Sequence, residues 1–139
     1  MNTISPPSPA PPKGTLVFIV DDNELLGEIT HQLIASAGYD TRLFHQGLPA
    51  RDALLAADPP PAVLVTDFDI GDINGLDLIN QVRAKVPLLK TLLLSGTAKP
   101  EVLARNPIKP DLFLPKPFRA DALIGAVDKL VAELRARVL

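Results

Sequence analysis

Along this chain, short unbroken hydrophobic runs alternate with stretches in which apolar residues return every three or four positions, the two patterns that separate buried strands from amphipathic helices. Leu16 to Val20 is an apolar, partly β-branched run that stops at Asp21-Asp22, as expected of a strand buried on both faces. From Asn23 to Ala37, the residues Leu25, Leu26, Ile29, Leu33 and Ile34 recur at helical spacing, and Gly38 supplies a stop. The alternation continues with a strand from Tyr39 to Phe44, a helix from Leu48 to Ala57, a break at Pro59-Pro60-Pro61 and a strand from Ala62 to Thr66. A helix from Gly75 to Val86 follows, with Leu78, Ile79 and Val82 inward, then strands at Thr91 to Leu94 and Leu112 to Leu114. Pro100 to Arg105 allows a turn or two of helix opened by proline. Pro107 and Pro110 each remove a backbone donor and restrict the residue before them, so the fourth helix is expected to be short or irregular. Ala120 to Val138 predicts a final helix with Leu123, Ile124, Val127, Leu130, Val131 and Leu134 on one face.

Five strands alternating with five helices predict an α/β fold: a doubly wound parallel sheet with right-handed crossovers and helices on both faces. Such sheets bind ligands beyond the carboxyl ends of their strands, where the strand order reverses. The question of function thus becomes which residues lie just past the strand ends.

Composition narrows the classes. At 139 residues and 47% hydrophobic content, the chain suffices for one core and not for two. No cysteine is present, which excludes disulfides, thiol catalysis and Cys-ligated zinc and fits a reducing, cytoplasmic setting. A net charge of −2 with scattered basic residues gives no footprint for direct nucleic-acid binding. No apolar run approaches a membrane span, and Met1 to Gly14 lacks the apolar stretch of a signal peptide. Pro6, Pro7, Pro9, Pro11 and Pro12 crowd residues 1–14, so a disordered Pro-rich tail is expected there, with a polyproline ligand as the alternative. The folded domain is expected to cover 15–139.

Past the first strand lie Asp21 and Asp22, past the third Asp67, past the fourth Ser95, Gly96 and Thr97, and past the fifth Lys116. Each has an ordinary reading alone: Asp22 or Asn23 as a helix cap, Asp67 as a loop residue, Ser95 as a turn former, Lys116 as an exposed residue between Pro115 and Pro117. Their coincidence at four strand ends is what turn chemistry does not explain. Two carboxylates about 4 Å apart repel by about 4 kcal/mol at an effective dielectric of 20. A hard cation relieves that repulsion: Mg²⁺ takes a few carboxylate or carbonyl oxygens, keeps waters and accepts phosphate oxygen, while the lysine offers a mobile charge to a second phosphate oxygen.

These residues resemble the receiver domains of two-component response regulators. Phe18-Ile19-Val20-Asp21-Asp22 is similar to the family's acidic pair, and Val63-Leu64-Val65-Thr66-Asp67 to its phosphoacceptor strand, with Gly75 as the glycine before the third helix. Leu93-Leu94-Ser95-Gly96 resembles the hydroxyl-plus-small-residue motif, and Leu114-Pro115-Lys116-Pro117-Phe118 the Lys-Pro-Phe signature. The resemblance implies a flavodoxin-like sheet of order 2-1-3-4-5, and a switch in which Asp67 takes a phosphoryl group from a sensor histidine kinase or phosphotransfer protein and partner binding then changes at a downstream target. It implies Mg²⁺, with Mn²⁺ as substitute, held by Asp21, Asp22, Asp67 and the backbone carbonyl of Asp69. Ser95, Lys116 and the backbone N–H groups of Phe68 and Gly96 would hold phosphoryl oxygens. Ser95 and Phe113 would form the switch pair, although Phe113 also reads as simple core, and the Lys116-Pro117 bond is expected to be cis.

Departures from the family pattern accompany the match. Gly71 stands where proline is usual, predicting a looser loop after Asp67, and Asp69 adds a carboxylate two residues beyond Asp67 that points toward the metal, tunes hydrolysis or faces water. The Pro107/Pro110 segment disturbs a face that many receivers use to dimerise, so the usual dimer geometry does not transfer. The chain stops soon after its last helix, which suggests either action through protein contacts or a piece of a larger regulator. Alternatives from other classes are a degenerate, phosphorylation-independent binding module and a small Mg²⁺-dependent phosphatase with an aspartyl nucleophile. Nucleotide binding is disfavoured by the lack of a Gly-rich loop after the first strand.

Overall fold

The structure, a computed structural model, describes residues 15–96 and 100–138. The expected proline-rich tail and Thr97 lie outside the described residues. Strands β1 (Leu16–Val20), β2 (Asp40–Phe44), β3 (Val63–Asp67), β4 (Lys90–Ser95) and β5 (Leu112–Pro115) form one parallel sheet in the order β2-β1-β3-β4-β5. Helices α1 (Glu24–Ser36), α2 (Gly47–Ala56), α3 (Gly75–Arg83), α4 (Pro100–Arg105) and α5 (Ala120–Val138) alternate with them. The flavodoxin-like doubly wound α/β architecture read from the sequence is therefore present. No helix among the described residues is long and apolar enough to cross a membrane.

The alternation of side chains along β1, β3 and β4 feeds two cores. Val17, Ile19, Val63, Val65, Leu92 and Leu94 face α1 and α5 on one side, joined by Ile34, Leu123, Val127 and Leu130. Phe18, Val20, Leu64 and Leu93 face α2 and α3 on the other, joined by Leu54, Leu76, Leu78, Ile79 and Val82. Burial on both faces is why these strands read as continuous apolar runs. The edge strands β2 and β5 are only partly buried.

Helix α1 forms where its spacing predicts it. It packs through Gly27, Thr30 and Ile34, while Leu25, Leu26 and Ile29 are 70%, 43% and 46% exposed. Gly27 brings the amino-terminal half of the helix close to Leu43 and Asp21, and Ile34 with Leu33 fills the core farther along. Helix α4 is short, as the prolines require: six residues, with the Lys109 ammonium donating to the carbonyls of Leu103 and Ala104 and Asn106 accepting from the Ile108 N–H. Among the described residues two peptide bonds are cis, Asp58-Pro59 and the expected Lys116-Pro117.

Candidate functional site

Strands β1 and β3 are neighbours from which the sheet grows in opposite directions, so a crevice opens past their carboxyl ends. Asp21 and Asp22 leave β1 into this crevice, Asp67 ends β3, and Lys116 follows β5. Residues predicted from four separated segments meet there. Carboxylate oxygens of Asp21, Asp22 and Asp67 lie within 4.8 Å of one another. The Lys116 ammonium donates to Asp67 Oδ2 at 3.0 Å and stands 3.7 Å from Asp21 Oδ2. Asp22, Asn23, Leu26, Asp67, Asp69, Gly96 and Lys116 line the resulting cleft.

Local bonds assign the carboxylates different tasks. Asn23, not Asp22, caps α1 by accepting from the Leu26 N–H at 2.9 Å, which leaves Asp22 exposed at the cleft. Asp21 is 2% exposed. Its Oδ1 accepts from the Asn23 N–H, whereas its buried Oδ2 has no hydrogen-bond partner and relies on Lys116 at ion-pair distance. A buried, charged oxygen without a hydrogen bond is costly and wants a cation. Burial pushes the Asp67 carboxyl up to about 6; Lys116 pulls it back down, and the charges of Asp21 and Asp22 add to the rise. Three hard oxygen donors on one crevice, one of them orphaned, fit a small divalent cation and suit no soft metal.

Ser95 is buried at the end of β4 beside this cleft, in register with Pro115, and its carbonyl accepts from the Lys116 N–H at 2.9 Å. Phe113 pairs with Leu93 across β4 and β5 and is half-buried against the α2–α3 core, so it belongs to that core as well as to the strand expected to carry the switch. Gly75 opens α3 and donates to the Phe68 carbonyl at 2.7 Å; a Cβ there would fall 2.3 Å from the Asp67 carbonyl oxygen, so the close return of the chain beneath Asp67 requires glycine.

The Phe68 N–H, expected to face a phosphoryl oxygen, donates here to the Leu94 carbonyl at 3.0 Å, extending the β3–β4 ladder one residue past the strand. The loop after Asp67 is not loose either: Ile70 is buried, Asp69 bridges to Asn74, and Asp72 accepts from two N–H groups of α2. Sequence reasoning passed over Asp72 and also His45, whose Nδ1 lies 2.8 Å from the Asp21 carbonyl. Neither contact follows from periodicity or local motif, since each joins residues more than twenty positions apart.

The family model for the response regulator receiver domain matches residues 17–128. Among curated relatives, the DNA-binding transcriptional regulator NtrC of Rhizobium meliloti (strain 1021) is 29% identical over 126 residues, covering 89% of this chain and 25% of that protein. Response regulator MprA of Mycobacterium avium (strain 104) is 31% identical over 121 residues, covering 86% of this chain and 49% of that protein. The chain thus spans between a quarter and a half of the length of these relatives. A CheY-like response regulator receiver domain protein from Methanospirillum hungatei JF-1 superposes with a TM-score of 0.83 at 18% identity, covering 89% of this chain and 98% of that one, a likeness of fold. Sheet order, acidic crevice and family match converge on one assignment: this chain belongs to the response regulator receiver domain family.

Proposed function

We propose that Asp67 is the phosphoacceptor of this receiver and that the crevice at the β1–β3 boundary is where phosphoryl transfer occurs. The observation that carries the reading is the pairing of the Asp67 carboxylate with Lys116 at 3.0 Å, at the mouth of a cleft that also holds Asp21 and Asp22. A carboxylate oxygen of Asp67 attacks the phosphorus of a phosphohistidine; the P–N bond breaks, the imidazole leaves with a proton, and an acyl phosphate forms. The chain's part is alignment and charge neutralisation. Lys116, already on the carboxylate, moves with the developing charge onto a phosphoryl oxygen. Ser95 and the Gly96 N–H supply further donors from the end of β4.

Asp21, Asp22, Asp67 and the Asp69 carbonyl would hold Mg²⁺, or Mn²⁺ in its place, and that ion when bound supplies positive charge to the phosphoryl oxygens and relieves the mutual repulsion of the carboxylates. The phosphoryl group then brings close to two negative charges and three acceptor oxygens to the end of β4. Ser95 shifts towards it, and Phe113, lacking a hydroxyl, follows through packing alone. The donor would be a sensor histidine kinase or phosphotransfer protein and the reader a downstream protein target, both in the cytoplasm. Beyond its own phosphorylation and dephosphorylation, no catalysis is assigned to the chain.

Incubation with acetyl phosphate and Mg²⁺ followed by intact-mass measurement tests this reading. A labile adduct of one phosphoryl group that Asp67→Asn abolishes is the expected result. An adduct that survives Asp67→Asn, or none under conditions that label another receiver, overturns it.

A further inference from the structure

We infer that Asp72 is a positioning residue for the phosphorylation site: by tying the loop after Asp67 to the start of α2, it holds the Asp69 backbone where the crevice needs it. The inference rests on the proposed role of the crevice. Gly71 has φ of +84°, a left-handed region that favours glycine. The loop turns at Gly71 and carries Asp72 onto α2, where Asp72 Oδ1 accepts from the Gly47 N–H and Oδ2 from the Leu48 N–H, each at 2.9 Å.

Helix α2 has a vacancy that this carboxylate fills. The Gln46 side chain makes no capping bond, and Pro49 has no N–H to offer, so the donors of Gly47 and Leu48 are left for a partner outside the helix. An anion at a helix N-terminus is also favoured by the aligned peptide dipoles. Although burial works in the opposite direction, the N–H groups of Leu48 and Gly47 hold the Asp72 carboxyl below the usual range.

Between Asp67 and Gly75 every other turn of the loop is pinned. Ile70 is 2% exposed, the Asp72 N–H donates to the Ile70 carbonyl at 3.0 Å, Asp69 bridges to Asn74, and Asn74 caps α3 through the Asp77 N–H at 2.9 Å. Gly71 is the pivot, with nothing within 4 Å of where its Cβ would be. The Asp72 latch spans that pivot. Remove it, and the segment carrying Asp69 loses the tie that holds its outer end to the body of the protein.

A simple helix cap would give the same contacts, and the two roles separate by experiment. Asp72→Ala is compared with wild type and with Asp72→Ala/Gln46→Ser, in which serine at position 46 can accept from the Leu48 N–H and recap α2 without touching the loop. Each protein is measured three ways: urea midpoint, Mn²⁺ affinity by calorimetry, and metal-free amide exchange at Asp72 and Gly75. Asp72→Ala is expected to weaken Mn²⁺ binding about tenfold and speed the exchange, and Gln46→Ser to restore the urea midpoint while leaving binding weak. Asp72→Asn, which keeps one accepting oxygen, is expected to fall between, and decides the matter if the alanine variant does not fold. Mn²⁺ affinity of the Asp72 variants within about twofold of wild type, or affinity that returns together with stability on recapping, overturns the latch alone. Wild-type protein that fails to bind Mn²⁺ overturns the reading of the crevice itself, and the latch with it.

Discussion

The two ends of the sheet treat charge in opposite ways. At the amino end, Asp111 accepts from the Thr91 N–H at 2.8 Å and from the Thr91 hydroxyl at 2.9 Å, and that hydroxyl in turn accepts from Arg83 at 2.8 Å and from the Asp111 N–H at 3.0 Å. Lys90 lies 4.0 Å from Asp111 and 3.7 Å from Glu133. Two cations face two anions there, and the carboxylate of Asp111 is fully used. At the carboxyl end, among the described residues, three carboxylates share a single ammonium, and one buried oxygen of Asp21 accepts no hydrogen bond. The first end is built to be stable as it stands, the second to be completed by something that arrives.

Breaking the amino end should be the most damaging. Asp111→Ala strips the buried Thr91 N–H of its acceptor and leaves Lys90 with Glu133 alone; a loss of about 2–3 kcal/mol is expected in urea unfolding, without loss of the Asp67 adduct. The same class of change at the carboxyl end should have the opposite sign. In metal-free protein, Asp67→Asn removes a charge that burial and two carboxylate neighbours oppose, and a gain of about 1 kcal/mol is expected. Saturating Mg²⁺ should stabilise wild type and erase or invert that advantage; a substitution that destabilises the metal-free protein would mean the crevice is already balanced.

Acidity sharpens the contrast further. The folded-state Asp67 carboxyl sits at about 6, above its ordinary value of 3.8, so the native state holds this proton more tightly than the unfolded one. The penalty is present in full above about pH 6 and is relieved as the pH falls towards 4. The urea midpoint of metal-free protein should therefore gain from this group between pH 7.5 and 5, and Asp67→Asn should show a smaller gain over the same interval. Asp72 contributes the other sign: its lowered carboxyl stabilises above its unfolded value and loses that contribution as the pH drops through its folded one. Smallest of all is Arg119→Ala, which breaks an ion pair whose side chains are 87% and 73% exposed and should leave stability unchanged within about 0.5 kcal/mol.

What the sequence revealed follows the same division. Strands β1, β3 and β4 were legible because coverage on both faces demands unbroken apolar runs, and the residues just past them were legible because a parallel sheet delivers its strand ends to one rim. Asp21, Asp22, Asp67 and Lys116 meet for that reason. The exposure of Leu25, Leu26 and Ile29 on α1 was not legible, since spacing predicts the helix without saying which of its residues face the sheet. Contacts that link distant residues left no periodic trace: Asp72 on α2, His45 on the Asp21 carbonyl, and the Thr91–Asp111 pairing. Nor could a motif reveal that the Phe68 N–H would be spent on the sheet ladder.

The strand order has one more consequence. Because β1 sits between β2 and β3, severing the exposed turn at Pro59-Pro60 would give one fragment with Asp21 and Asp22 and another with Asp67 and Lys116, joined along β1 and β3. Neither piece would own all three carboxylates. On the proposed reading of the crevice, uptake of a divalent cation would then report that the two halves had found each other, making the crevice a built-in sensor of reassembly.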